Sequence, residues 1–271
     1  MGAFRMNKPK HTQIDSELAH LCQVLKAPRI AASYAHTAQQ ARDGAWTFEE
    51  YLAAVLSTEQ AARAESGAKI RIKRAGFPQV KTIDEFDFTA QPGLDRARIA
   101  RLETSAWITQ GDNVVFLGPP GTGKTHLAIG LSVIAARQRF RVLFDTAAGW
   151  VSQLTTAHSQ GELTKFLKKL ARYDLLVIDE VGYLPIEADA ANLFFQLVST
   201  RYEKASMIMT SNLPFSRWTE CFGDATIAAA MIDRIVHHAE IITHKGTSYR
   251  ITGRDDLLPS YRPSPQNATR R

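Results

Sequence analysis

Cysteine is almost missing from this chain. Cys22 and Cys221 are the only two in 271 residues, they lie far apart, and neither belongs to a CxxC pair. A disulfide framework and a cysteine-based zinc site are therefore excluded, and both thiols read as small core or near-core residues. Long apolar runs are missing as well: nothing approaches the ~18 residues of a membrane span. The start, Met1 to Lys8, has no apolar segment of the signal-peptide kind, and Met6 stands where an N-myristoylation signal wants Ser or Thr. The expectation is a cytoplasmic protein without a membrane partner. No internal repeat, helix-turn-helix or aromatic RNA-binding motif is evident. What remains is an ordinary globular composition, 45% hydrophobic and 22% charged, able to bury the core of one large domain or of a medium domain plus a small one. The net charge of +6 favours anionic partners, nucleic acid first.

The order of patterns divides the chain into four zones. Residues 1–67 read as a small all-helical domain after a loose polar start. Leu18, Leu21, Val24 and Leu25 repeat at helical spacing, Pro28 ends or restarts that helix, and a second helix runs from Ile30 to Arg42. Thr47-Phe48-Glu49-Glu50 is a capping box that starts a third, through Tyr51, Leu52, Val55 and Leu56. Residues 68–82 read as a basic linker, and Arg63, Lys69, Arg71, Lys73 and Arg74 form a basic stretch across its start. That stretch fits either a solvated face or a surface that contacts nucleic-acid phosphates. Residues 83–253 alternate short apolar strands with helices, which argues a parallel sheet covered on both faces. Strands are expected at 114–117, 142–144, 175–178, 207–209 and near 240–243, and helices at 94–109, 124–139, 147–157, 160–172, 188–204 and 224–238. Residues 254–271 read as a flexible basic tail.

One segment carries explicit chemistry. Gly118-Pro119-Pro120-Gly121-Thr122-Gly123-Lys124-Thr125 is a complete phosphate-binding loop between an apolar strand and a helix that opens with His126. Glycines let backbone N–H groups approach phosphates, Lys124 reaches the β- and γ-phosphates, and the Thr125 hydroxyl ligates Mg²⁺. The run Leu175 to Ile178 ends in Asp179-Glu180. Asp179 fits as the acid that holds Mg²⁺, and Glu180 as the residue that polarises the attacking water. Asn212 closes another short strand and fits a grip on water or γ-phosphate from the opposite side, with Thr210 a weaker candidate. Arg234 ends a helix and fits either an arginine finger offered to a neighbouring subunit or an ion pair with Asp233 or Asp224. Arg250 is a second phosphate-sensing candidate. Lys165, Lys168, Lys169 and Arg172 share one helical stretch with Leu167 and Leu170 turned inward; they fit DNA backbone contacts or a solvated face equally well.

Taken together, these segments resemble the IstB-like branch of AAA+ ATPases, transposition helpers of bacterial insertion sequences, with DnaC-type helicase loaders as neighbours. The resemblance rests on Phe77-Pro78, Lys81 to Ile83 and Phe86 to Phe88, then Gly118 to His126, Leu175 to Pro185, Thr210 to Phe215, Ile232 to His238 and Gly246 to Arg250. It implies an AAA+ P-loop NTPase domain behind a helical N-terminal domain that meets DNA or a partner. It also implies ATP hydrolysis with Mg²⁺, Asn212 as a sensor, Arg234 as the finger and Arg250 near a second sensor. The implied partners are duplex DNA, a cognate transposase and further copies of the chain with ATP at their interfaces, and a DNA-bound form would sit on the nucleoid. The alternative is a helicase loader acting on single-stranded DNA. A small-molecule kinase is disfavoured, because no acceptor lid is visible and Glu180 would have no use there.

Overall fold

A computed structural model describes residues 11–183, 185–246 and 249. Arg250, the expected tail at 254–271 and the first ten residues lie outside them. The chain divides into two compact units, Met1–Lys69 and Ile70–Arg271.

The first unit is helical: α1 (His11–Val24), α2 (Pro28–Asp43) and α3, which runs from Phe48 to Ala75. Pro28 opens α2 at its first position, where a missing N–H costs nothing. The capping box forms as written: the Thr47 amide donates to Glu50 Oε2 at 2.7 Å, and the Glu50 amide to Thr47 Oγ1 at 3.2 Å. A polar staple joins the helices. Glu59 Oε2 accepts from the Arg29 amide (2.9 Å) at the start of α2. Arg63 donates to Glu59 (2.8 Å) and to the carbonyls of Leu25 and Lys26 (3.1 and 2.7 Å) just after α1. The stretch expected as a linker is helical up to Ala75, because nothing breaks the α3 pattern before Gly76, whose φ of +78° ends it.

In the second unit come α4 (Arg96–Glu103), α5 (Ala106–Gln110), β1 (Asn113–Leu117), α6 (Lys124–Arg137), β2 (Val142–Thr146), α7 (Ala147–Ser159) and α8 (Leu163–Leu170). They are followed by β3 (Leu175–Val181), α9 (Ala188–Arg201), β4 (Ser206–Ser211), α10 (Trp218–Phe222), α11 (Ala225–Val236) and β5 (Ala239–Thr243). The expected helix over 94–109 is two helices, broken at Ser105, whose φ is +59°. The five strands lie parallel in the order β2-β3-β4-β1-β5. Strand alternation splits the core into two layers. Val114, Phe116, Leu175, Val177 and Ile208 face Ile99, Trp107, Leu127 and Leu131; Val115, Leu117, Leu176, Ile178, Met207 and Met209 face Trp150, Phe194, Trp218 and Met231. Cys22 and Cys221 are both buried, and burial pushes the Cys221 thiol up to about 11. Among the described residues, no helix is long and apolar enough to cross a membrane.

Candidate functional site

Parallel strands present their C-terminal ends along one edge, and the candidate residues meet there. After β1 the chain turns through Gly118 to Gly123 into α6. Two glycines are obligatory for steric reasons. A Cβ on Gly118 (φ +143°) would run into the His244 backbone, and one on Gly123 (φ +87°) into the Phe86 ring. Lys124 Nζ donates to the carbonyls of Gly118 (2.6 Å) and Pro119 (2.7 Å), so its ammonium is folded over the loop and mostly buried.

The loop and β3 are joined directly. Thr125 Oγ1 donates to the Asp179 carboxylate, 2.8 Å from Oδ1 and 3.1 Å from Oδ2. From β4, the Thr210 hydroxyl donates to the same Oδ1 and accepts the Glu180 amide at 3.0 Å. The register explains this. Ile178 pairs with Met209 and Val181 with Ser211, so Asp179 and Glu180 together oppose Thr210 in a bulge. Glu180 takes the extra place with φ +60°, a conformation that costs a non-glycine residue roughly 1–3 kcal/mol. Asp179 stays buried between strands, while Glu180 is turned out into the cleft.

That cleft measures about 670 Å³, a size suited to a small-molecule ligand. Pro120 to His126, Glu180, Thr210 and Asn212 line one side of it. Pro78, Lys81, Glu85 and Phe86 form the other. His126 pins that second wall: its Nε2 lies 2.8 Å from the Thr82 carbonyl, and its ring meets Phe86 edge to face. A hydrogen bond from the Thr82 amide holds the Glu85 carboxyl below its usual range. The Tyr249 amide donates to the Gly121 carbonyl at 3.0 Å, bringing the chain back to the loop one residue before Arg250. Beneath the loop lies buried His244, whose Nδ1 is 2.9 Å from the Thr122 carbonyl. Burial pushes its pKa down to about 4, and the Lys124 charge adds to that effect. The ring is therefore neutral at pH 7, with its proton on Nδ1 as the donor to Thr122.

Among the described candidates of the α/β unit, Arg234 does not line the cleft. Arg234, on α11, lays its guanidinium over the Phe195 ring at 4.4 Å, and its Nη1 has no hydrogen-bond partner among the described residues. Asp224 instead caps α11, accepting from the Thr226 and Ile227 amides. Within the basic stretch, Arg63 is committed to the staple, Lys69 pairs with Glu65 at 2.6 Å, and Arg71 donates to the Ala136 carbonyl at 2.6 Å. Lys73 and Arg74 are exposed. Lys165 pairs with Glu162 at 3.0 Å, whereas Lys168, Lys169 and Arg172 extend along the exposed side of α8 and the turn after it. The end of α8 is fixed by buried Arg201, which donates to the carbonyls of Leu170, Tyr173, Asp174 and Ser206.

The profile of the IstB-like ATP binding protein family matches residues 20–256. The chain belongs to this family. It is 41% identical over 235 residues to a protein described as the ATP-binding protein of insertion sequence IS21 in Pseudomonas aeruginosa, covering 87% of this chain and 89% of that one. A counterpart named for insertion sequence IS5376 in Geobacillus stearothermophilus is 40% identical over 230 residues, 85% of this chain and 92% of the other. In fold, the IstB-like chain is similar to AMPPCP-bound DnaA from Aquifex aeolicus (TM-score 0.51, 20% identity, 68% of this chain and 56% of that one). It is also similar to DnaI (TM-score 0.51, 16% identity, 61% and 91%). The fold is thus the α/β P-loop NTPase fold expected from the sequence.

Sequence reasoning missed two parts of this IstB-like site and the role of a third. Thr210, a weaker candidate for gripping water or phosphate, instead ties both acids together, and it is adjacent to them only through strand register. The wall at 78–91 contributed letters to the resemblance but no assigned role. His244 carried no signal beyond its place after β5.

Proposed function

We propose that this chain hydrolyses ATP and uses the cycle to hold and release duplex DNA, assembling there in several copies and bringing the transposase of its insertion sequence to the target. The observation that carries this reading is the convergence of Thr125, Asp179, Glu180 and Asn212 on one cleft while Arg234 stays outside it. A site with its acids in place and its cation elsewhere is completed by a second copy.

The phosphates of ATP meet the N–H groups of the loop and of the first turn of α6. Lys124 exchanges the Gly118 and Pro119 carbonyls for phosphate oxygens. The Thr125 hydroxyl and the Asp179 carboxylate are hard oxygen donors already side by side, a set suited to Mg²⁺. Bound there, the ion would offset charge on the β- and γ-phosphates. Glu180 draws a proton from the attacking water, Asn212 orients that water, and Arg234 from a neighbouring copy meets the charge that develops. Arg250, near the return of the chain at Tyr249, is assigned to phosphate sensing.

Lys73, Arg74, Lys168, Lys169 and Arg172 are the cations most available for DNA phosphates; each contact contributes a slope of about −0.9 to the salt dependence of duplex binding. The helical unit, assigned to partner contact, has an acidic excess: between His11 and Lys69 it carries Lys26, Arg29, Arg42, Arg63 and Lys69 against Asp15, Glu17, Asp43, Glu49, Glu50, Glu59 and Glu65. The names of the relatives, all drawn from insertion sequences, favour a transposition role. The test is sedimentation with ATP on duplex and on single-stranded DNA at fixed low salt. Large ATP-dependent assemblies on duplex are expected, with Arg234→Ala still binding nucleotide but losing turnover. Assembly on single strands alone would replace this reading with a helicase loader. Normal turnover by monomeric Arg234→Ala would remove the finger.

A further inference from the structure

At the opposite edge of the sheet from the cleft, three side chains converge that the ATP chemistry does not use. Glu203 lies in the turn between α9 and β4; His237 and His238 join α11 to β5. One ligand atom from each falls within 4.8 Å of the others. Glu203 Oε1 is 3.8 Å from His237 Nδ1 and 3.6 Å from His238 Nε2. Such gaps are too long for hydrogen bonds. They are close to the spacing of two ligands on one ion: donors at about 2.0–2.1 Å from a tetrahedral zinc sit roughly 3.3–3.5 Å apart. The turn after α11, with His237 in the αR conformation, brings the two imidazoles together, with centroids 4.3 Å apart and rings at 68°.

The backbone under each residue is fixed. The His237 amide donates to the Asp233 carbonyl (3.0 Å), the Asn113 amide to the His238 carbonyl (2.7 Å), and the Lys204 amide to the Arg201 carbonyl (2.9 Å) across Glu203. Glu203 itself sits at φ +55°. The Tyr202 hydroxyl lies 2.9 Å from the same His237 Nδ1, so that nitrogen would exchange this hydrogen bond for the ion on binding. All three candidate ligands are about half exposed, which leaves room for water at a fourth position.

We propose that Glu203, His237 and His238 form a binding site for a divalent transition-metal ion of the zinc type. Two imidazoles and one carboxylate suit zinc, cobalt or nickel and disfavour magnesium, which wants oxygen donors. The site is separate from the ATP cleft by the length of β5, about 15 Å for five residues. A bound ion would lock the α9–β4 turn to the end of α11.

The experiment is calorimetric titration of untagged full-length protein with zinc chloride, with cobalt(II) absorption as a second readout, in the presence of excess Mg²⁺. One equivalent per chain is expected, with visible cobalt bands showing nitrogen ligation. His238→Ala should abolish this uptake. Glu203→Gln, which keeps the size of the side chain, should weaken it while retaining nitrogen ligation, and Tyr202→Phe, which removes the hydroxyl competing for His237 Nδ1, should tighten it. Failure to take up zinc, competition by Mg²⁺, or uptake unchanged in His238→Ala would each overturn the assignment.

Discussion

The two units of this chain keep their apolar residues in opposite ways. In the α/β unit, Val114, Val115 and Phe116 are fully buried, and β1 and β4 are buried along their whole length. In the helical unit, Phe48 is 90% exposed, Leu25 67% and Leu52 56%. The α/β unit is held by a core. The helical unit is held to a large degree by the Glu59–Arg63 staple, in which two charged side chains of α3 satisfy the start of α2 and the carbonyls after α1. A rigid core permits a strained functional residue such as Glu180, because packing around it outweighs the local cost.

Substitutions can break this contrast at either end. The largest effect is expected for Phe116→Ala, which opens a cavity in the sheet core and should cost about 3–5 kcal/mol in denaturant unfolding of the α/β unit. Next is Glu180→Gln, which keeps the bulge and nucleotide binding; steady-state turnover should fall by roughly 10²–10⁴-fold. Thr210→Val, which removes the hydroxyl joining both acids, should lower turnover by roughly 10–100-fold. If Thr210→Val were silent, the bulge alone would set the acids. Glu59→Gln acts in the other unit. Burial raises the Glu59 carboxyl, but the Arg63 hydrogen bond and those from the Ile30 and Arg29 amides outweigh it and leave the pKa lowered. Its contribution is therefore complete above the ordinary carboxylate range and is lost as acidification passes through the lowered pKa. Helical melting followed by circular dichroism should show Glu59→Gln less stable than the parent at pH 7, with the gap closing in acid and ATPase activity intact. The smallest effect is expected for Phe48→Ala, within about 0.5 kcal/mol on folding. A large loss there would show that its ring is buried in solution.

The local grammar of the chain was readable in advance, and its long-range pairing was not. Val114–Leu117 and Leu175–Ile178 announce themselves as short apolar runs, and the glycine loop is a contiguous motif whose flanks confirm it. The Thr47–Glu50 capping box also lies within four residues. By contrast, the bulge opposite Thr210 depends on how β3 and β4 align, and no local pattern states that register. The break at Ser105 required a left-handed conformation in a residue that does not advertise it. Arg63 and Arg71 looked like free cations because their carbonyl partners are distant in sequence. The Glu203–His237–His238 cluster escaped for the same reason.

Strand order has a consequence for how the protein is made. β1, which carries the phosphate loop, pairs only with β4 and β5, both far downstream. A ribosome that has just released Leu117 must translate to Ser206 before β1 gains its first neighbour; at roughly 5–20 residues per second that is a wait of several seconds or more. In that interval β2 and β3 can already associate, while the loop-bearing strand waits with both edges open. The nascent chain therefore pairs β2 with β3 before the strand carrying the phosphate loop gains a neighbour, and chaperone dependence during synthesis should be greatest in that window.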